Sequence, residues 1–525
     1  MFGYSNTQFE FPYSLLLCRA DVFSNPWAAL AATALVYFSS VIFYRLVLHP
    51  LAKFPGPKLA AITRYYEGYY DVILNGQYTF KIAQMHHQYG PIVRISPYEL
   101  HINDSAYYEK LYRQDGQWNK YAWSYDAFGA PMCSVCTVDH EMHKRRRAPL
   151  NPFFSKANVA AQQDMIQRFA NKLCDRITQF EGAAVNISAA IGAFTRDVAM
   201  QFVLFKDYQN LDHENFNADM MNFLQASGAI WRVTKHVRWI GPLMKSLPMH
   251  WIEKVGDAGT KAFFGFMKDS LQITKTIVAT PSSKQADSNP GPSHRTILHG
   301  IMDSNLPPAE KTVERLNDEV STVTGAAFET SAQTIRLILY YLYSDHVMLQ
   351  RLRTELAQAR NQQGSKEDIP LSVLEQLPFL TGVVCEGLRL SPGLATRLAR
   401  VAPDRDLFYD QWRIPSGTPV GMTVLLMHLN ETLYPQPRLF NPDRWCGDRK
   451  RSDKTFSPFS RGTRICLGMN LAWAEIYIII ATLVQRLDLE LVGAGPKDVE
   501  CASDQFIIGI ADQTGIKSIV KRRLV

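Results

Sequence analysis

The sequence predicts a mainly α fold with small β-sheets, preceded by one N-terminal transmembrane helix. Three observations carry that expectation. The chain is 46% hydrophobic and 20% charged, the composition of a globular protein with an ample apolar core. Near the N-terminus, residues 28–44 form an almost unbroken apolar run. Farther on, apolar residues recur at helical spacing over long stretches, whereas strict alternation is confined to short segments.

No charged residue lies between Asp21 and Arg45, and a helix over residues 25–48 is long enough to cross a bilayer. Arg45, Lys53, Lys58 and Arg64 follow that span, and only Arg19 precedes it. Positive residues stay cytosolic. Residues 1–24 are therefore expected to be lumenal, and the body, residues 59–525, cytosolic. The span lacks a small-residue cleavage pattern, which favours a retained anchor over a cleaved signal peptide. Residues 49–58 join anchor to body, and their prolines fix φ and remove donors, giving a stiff hinge.

Within the body, residues 91–97 and 99–102 alternate as a short antiparallel pair. The loop at 118–137 is rich in aromatics, among them Tyr125 and Phe128. Its Cys133 and Cys136 look like half a zinc or redox site, but no second pair completes it. The eight cysteines are scattered without a framework spacing, as in a reducing compartment. A helix beginning at His140 places His143 and Arg147 one turn apart on one face. Lys144, Arg145 and Arg146 point elsewhere, to solvent or to an acidic partner. A net charge of +7 agrees with acidic partners or an anionic membrane surface, and no nucleic-acid motif accompanies it. Residues 281–293 form a polar, breaker-rich loop.

Pro307-Pro308 opens a long helix running to about Ser344. Val320, Val323, Ala327, Thr330, Thr334 and Leu337 share one of its faces. A mid-helix Thr330 can bond back to its own backbone, and the neighbouring Glu329 is costly unless paired or wet. Downstream, Glu386 and Arg389 are three apart and face one another, Arg444 supplies a second arginine, and residues 394–400 read as a strand.

Chemistry concentrates in Phe459-Ser-Arg-Gly462-Thr-Arg464-Ile-Cys466-Leu-Gly468, followed by an apolar helical run. A sulfur delivered to a helix N-terminus is favoured as thiolate, the metal-ligating form. Gly462 permits a tight turn, Gly468 carries no side chain to hold a flat macrocycle away from the backbone, and Phe459 would shield the sulfur. Arg464 is placed to meet a carboxylate. Taken alone, Cys466 would be an ordinary buried thiol.

At every defining position this stretch resembles the haem-binding signature of the cytochrome P-450 family. The other motifs run in that family's order over nearly the whole chain. The resemblance implies the cytochrome P-450 fold, with haem b (iron protoporphyrin IX) held by Cys466 as the iron's axial ligand. Arg464, His143, Arg147 and Arg400 match the positions that bind the haem propionates, with His143 standing where the family usually has Trp. Glu329 and Thr330 resemble the acid–alcohol pair that handles protons on the distal side, with Ala327 in place of a usual Gly. Glu386, Arg389 and Arg444 resemble the buried triad that fixes the cysteine loop. Tyr125, Phe128, Ala326, Leu394, Thr396 and Ile508 fall at substrate-contact positions.

The hinge and residues 150–155 look most like fungal microsomal members of secondary metabolism, in particular trichodiene-oxygenase-like enzymes. The implied reaction inserts one atom of O2 into a hydrophobic small molecule, with a terpenoid favoured. Electrons would come from NADPH through NADPH-cytochrome P-450 reductase, at the endoplasmic reticulum membrane. A haem-thiolate isomerase or dehydratase, and a non-catalytic haem-binding protein, are the alternatives. Neither needs the Glu329–Thr330 pair.

Overall fold

Asn25 caps the first helix, α1 (Pro26–Phe43), its side chain accepting the Trp27 amide at 3.0 Å, with proline in the first turn. A π-helical turn, Tyr44–Leu48, extends it. The combined Pro26–Leu48 stretch of 23 residues has a mean hydropathy of 1.7, and none of it is buried by the rest of the protein. At 1.5 Å per residue such a helix is about 34 Å long, enough for a bilayer core. A second apolar helix, Ile187–Leu204, is mostly buried and belongs to the core. The structure, a computed structural model, describes residues 25–246, 254, 256–279, 296–364, 368–447 and 454–523. The lumenal segment 1–24 and the loop at 281–293 lie outside the described residues.

The hinge is packed onto the body. Leu51 and Phe54 are buried, and Phe54 stacks on Trp412 at 4.9 Å. The Arg94 guanidinium donates to the Arg45 carbonyl at 2.8 Å, and the Arg94 amide donates to that of Pro55 at 2.7 Å.

Eight further helices make the part of the body that matters for the site: α2 (His140–Arg147), α3 (Gln163–Thr178), α4 (Ile187–Leu204), α5 (Ala218–His236), α6 (Ala258–Ala279), α7 (Val313–Ser344), α8 (Pro378–Leu390) and α9 (Met469–Arg486). The 32-residue α7 is the spine, packed by α4, α6, α8 and α9. It starts at Val313 rather than at the proline pair, because the Thr312 side chain caps the Arg315 amide while Pro308–Glu310 closes a separate 3-10 turn.

Strands are short. A five-stranded sheet runs in the spatial order 92–94, 100–102, 419–421, 400–401, 119–120, and its first two strands form the antiparallel pair read from the sequence. The strand expected over 394–400 is reduced to Arg400–Val401. Upstream of it Gly393 turns at φ +75°, and Ala395 and Leu398 bond to two different partners, Phe506 and Met422. No single neighbouring strand accompanies the segment, so no ladder forms.

One buried network fixes the loop that carries Cys466. Glu386, fully buried on α8, accepts from five donors. Arg389 reaches both carboxylate oxygens, from Nε at 2.8 Å and Nη2 at 2.7 Å. Arg444 Nε at 3.2 Å, Trp445 Nε1 at 3.0 Å and the Asn441 amide at 3.0 Å complete the set. Arg389 also donates to the carbonyls of His428 (2.8 Å) and Pro437 (2.7 Å). The His428 ring then binds the Arg389 carbonyl through Nδ1 and accepts the Ser457 amide at Nε2. A carbonyl only accepts and an amide only donates, so this imidazole is the neutral Nδ1–H tautomer. The chain of bonds thus runs from α8 to Ser457, two residues before Phe459.

Removing the acceptor leaves buried donors unpaired, a loss worth about 3–5 kcal/mol against a typical domain stability of about 5–15 kcal/mol. Glu386→Ala is therefore expected to lower the thermal midpoint sharply, with Glu386→Gln intermediate. A calorimetric melt of Glu386→Ala that coincides with the unaltered protein would contradict this account.

Candidate active site

The cysteine loop is built by a glycine and two backbone bonds. Gly462 sits at φ +74°, and a Cβ there would overlap the Arg113 carbonyl. The Cys466 amide donates to the Phe459 carbonyl at 3.0 Å, and Ile465 to Gly462 at 3.1 Å, which folds the loop back on itself. Cys466 has free surface, but that surface faces an internal cavity of about 270 Å³. Burial pushes its thiol up from the ordinary value, while the Gly468 amide and Arg147 pull it down. This differs from the expected ready thiolate: a metal cation in the cavity would supply the positive charge that the sulfur lacks. Phe459 and Gly468 line the same cavity, and a Cβ at Gly468 would meet open space.

At one end of the cavity stand Lys120, His143, Arg147, Arg400 and Arg464. None of the five forms an ion pair among the described residues. Their bonds go to neutral groups instead. Arg464 donates to the carbonyls of Thr137 (2.7 Å), Val138 (2.8 Å) and Asp139 (3.1 Å), and its Nε has no partner. Arg147 donates to the Ile465 carbonyl, Arg400 to that of Leu398 (3.1 Å) and Lys120 to that of Val135. Burial, then mutual repulsion, lowers Arg464 to about 9 and His143 to about 2, so His143 is a neutral donor. Lys120 is pushed well down by burial and by Arg464 and Arg400. Cations without an ion-pair partner at the edge of a mainly apolar cavity fit a ligand that brings two carboxylates. A haem meets that requirement.

Across the cavity runs α7, contributing Ala326, Ala327, Thr330 and Ser331. The Thr330 hydroxyl donates back to the Ala326 carbonyl at 2.9 Å. Glu329 is not beside it in the cavity. One residue turns an α-helix by about 100°, and Glu329 points towards Gly192 of α4, where Arg336, farther along α7, donates to it from Nη1 at 2.7 Å. Arg336 is itself held by the Ser188 carbonyl, and Arg196 lies near. The cost anticipated for a buried Glu is thus met by ion pairing.

Of the proposed substrate positions, Tyr125, Ala326, Leu394 and Thr396 line the cavity. Phe128 does not, but packs edge-on against Phe506 at 4.7 Å, with Trp231 5.3 Å from the same ring. Ile508 sits in a separate cluster with Ala395, Leu425 and Ile510. The tail residue that enters the cavity is Phe506, carried by a turn at φ +71°. Sequence reasoning marked the tail stretch from Phe506 to Ile510 but settled on Ile508 within it, and it missed Trp231 and Lys120. The run after His143 also reads differently: Lys144 and Arg145 are exposed, but Arg146 is buried against Glu310 at 2.7 and 2.9 Å. Cys133 and Cys136 are both buried and hydrogen-bonded to each other.

Comparison with known proteins places this geometry in a lineage. The cytochrome P450 family profile matches residues 69–512. Cytochrome P450 monooxygenase MO6277 of Ascocoryne sarcoides is 38% identical over 509 residues, covering 94% of this chain and 98% of the relative. Tryptophan 6-hydroxylase fscE of Fusarium equiseti is 36% identical, covering 92% and 95%. Conidiogenone synthase PchP450 of Penicillium rubens is 35% identical, covering 87% and 91%.

Gly462→Ala is expected to displace the cysteine loop, since strain at φ +74° and overlap with backbone cannot both be relieved. The purified variant should carry far less haem than the unaltered chain, read as haem absorbance per protein. Full haem content would show that the turn tolerates a side chain.

Proposed function

The chain belongs to the cytochrome P450 family, and from that premise we propose that it inserts one atom of O2 into a hydrophobic small molecule. A terpenoid, or another secondary metabolite of a fungal pathway, is the class we assign. The observation that carries the reading is the shared cavity: Cys466 and Thr330 line it together, its walls are mainly apolar, and the cations at one end form no ion pair among the described residues.

Haem b, when bound, supplies the iron at which O2 is activated with electrons from NADPH through a flavoprotein reductase. Cys466 would hold the iron through its sulfur, which Phe459 would cover. Arg464, Arg400, Arg147 and His143, with Lys120, would hold its carboxylates. Gly462 shapes the loop, and Gly468 leaves room for the macrocycle. Thr330 holds a proton at Oγ1 and can turn it from the Ala326 carbonyl into the cavity. Glu329 belongs to the same relay, and must leave Arg336 to deliver a proton. Above α7, Phe506 and the aromatic group behind it exclude water and favour an apolar substrate.

The membrane reading is a single-pass anchor in the endoplasmic reticulum with the body in the cytosol. Besides α1, the exposed side chains of Tyr65, Tyr69 and Ile73 are apolar, as are those of Trp239 and Leu243. Buried Lys235, near the end of α5, bonds both Glu67 (2.8 Å) and Asp71, which brings these two exposed groups together. A joined apolar patch of this kind suits a lipid surface. The intact chain should resist carbonate extraction from microsomes while protease reaches the body from outside. Protection of the body inside sealed microsomes would reverse the orientation.

The catalytic test uses holoenzyme with reductase and a panel of sesquiterpenes, diterpenes, tryptophan and N-acetyltryptophan. Reduced protein with carbon monoxide should show the band of thiolate-ligated haem, and Cys466→Ala should lose it. Thr330→Ala should keep the band yet divert oxygen to peroxide, since positioned acid–base help is worth about 10²–10⁴-fold. Thr330→Ser should recover part of the product. Turnover without NADPH would mark an isomerase or dehydratase, and no turnover with any panel member a binding protein.

A further inference from the structure

A second group of cations without acid partners stands where the anchor meets the body. Arg45 lies in the turn that ends the apolar span, and Arg94, Arg64 and Arg238 are brought beside it in a row from three other segments. None of the four forms an ion pair among the described residues. Their bonds go to neutral oxygens. Arg45 donates to the Ile62 carbonyl and to the Tyr98 hydroxyl (2.8 Å), and Arg64 to the Tyr121 hydroxyl. Arg94 donates to the carbonyls of Arg45 and Pro97, both at 2.8 Å, and Arg238 to that of Trp123 at 2.5 Å. Two rings space the row. The Arg45 and Arg64 guanidiniums lie 5.4 and 5.2 Å from the Tyr98 ring centre, and those of Arg64 and Arg238 lie 4.3 and 5.9 Å from that of Trp123. Stacking on a ring holds a guanidinium in place and leaves N–H groups on its edge for an acceptor. Burial, then Arg45, lowers Arg94 to about 10. Burial also lowers Arg238, with exposed Asp126 opposing the shift and Arg64 adding to it.

The row edges the exposed apolar patch. Arg64 immediately precedes Tyr65, and Arg238 immediately precedes Trp239, two of the exposed rings of that patch. Arg45 marks the level at which the apolar span ends. We propose that these arginines form a binding site for the head group of an anionic phospholipid, engaged through its phosphate. The proposal rests on the membrane reading above. Guanidinium forks match phosphate oxygens in pairs. A zwitterionic head group brings its own cation, which the row repels, whereas a phosphomonoester or an added carboxylate brings the further negative charge that several arginines neutralise. The apolar anchor holds the chain in a bilayer without regard to lipid charge, and the row selects which lipid sits beside it. Because its members come from the anchor, from residues 64–94 and from the segment after α5, one bound head group ties these three parts together at the membrane surface.

The test uses the full-length holoenzyme in a neutral detergent. Short-chain phosphatidic acid should raise its thermal midpoint in a saturable manner, and short-chain phosphatidylcholine should not. Native mass spectra from mixed micelles should show the unaltered chain retaining phosphatidic acid in preference to phosphatidylcholine, with the preference falling as salt is raised. Arg64→Gln and Arg238→Gln should each weaken the affinity for phosphatidic acid by about 10-fold, the worth of one charge-assisted hydrogen bond, and keep the thiolate–carbon monoxide band. Arg238 is exposed, so its variant reads binding without disturbing the core. An equal response to phosphatidylcholine, or phosphatidic acid bound as tightly by both variants as by the unaltered chain, overturns the proposal. The same shift with inorganic phosphate alone would mark a site for free phosphate and overturns the lipid assignment. Carbonate extraction keeps the two readings apart: both variants should stay in the membrane through α1. Release of the unaltered chain would sink the membrane reading, while the detergent titration still decides whether the arginines bind the head group.

Discussion

Glu386 is a negative charge sealed from water, and the position of Cys466 depends on it. A carboxylate in the interior is tolerated only when donors replace its lost hydration. Here five donors do so, drawn from Arg389, Arg444, Trp445 and the Asn441 amide. Because the donors come from α8 and from the turn at Pro442–Trp445, satisfying one charge locks two distant parts of the chain. Arg389 then passes the constraint through the His428 carbonyl, and the His428 ring passes it to Ser457. The cysteine loop is held by a side-chain network rather than by a strand or a long helix, so its geometry is set by hydrogen-bond lengths.

The body handles its other buried charges in contrasting ways. Glu329 and Arg336 neutralise one another between α7 and α4. Lys235, Glu67, Asp71, Glu99 and Arg397 form a mixed cluster between the N-terminal segments and α5. At the cavity end, by contrast, cations are gathered without an ion-pair partner among the described residues, and there burial and repulsion hold Arg464, His143 and Lys120 below their ordinary values. A protein stable with such an imbalance has a site shaped for a ligand of opposite charge. The imbalance is therefore evidence of binding, whereas the neutralised clusters are evidence of architecture.

Helix geometry separates the two acids near Thr330. Neighbours along α7 diverge by about 100°, so the residue adjacent in sequence, Glu329, is carried away from the cavity. An acid 145 positions after Thr330, Glu475, enters the cavity wall from α9. Adjacency in sequence and adjacency in space are different quantities on a helix.

The sequence by itself determined what short-range chemistry can encode. Spacing within one loop marked Cys466, Arg464, Gly462 and Gly468, an unbroken apolar run marked α1, and a three-residue interval on a helix marked Glu386 with Arg389. Only the tertiary structure decided the partners that long separations conceal. Arg146 reads as one of a solvated basic run, yet Glu310 reaches it from 164 residues away. Phe506 displaces Ile508 from the cavity because a residue at φ +71° redirects the tail, which composition does not announce. Lys120 joins the cationic end from a two-residue strand paired with Arg400 and Val401. The physical reason is common to all three: burial and charge balance are properties of a neighbourhood, and folding assembles that neighbourhood from segments whose local sequences carry no record of each other.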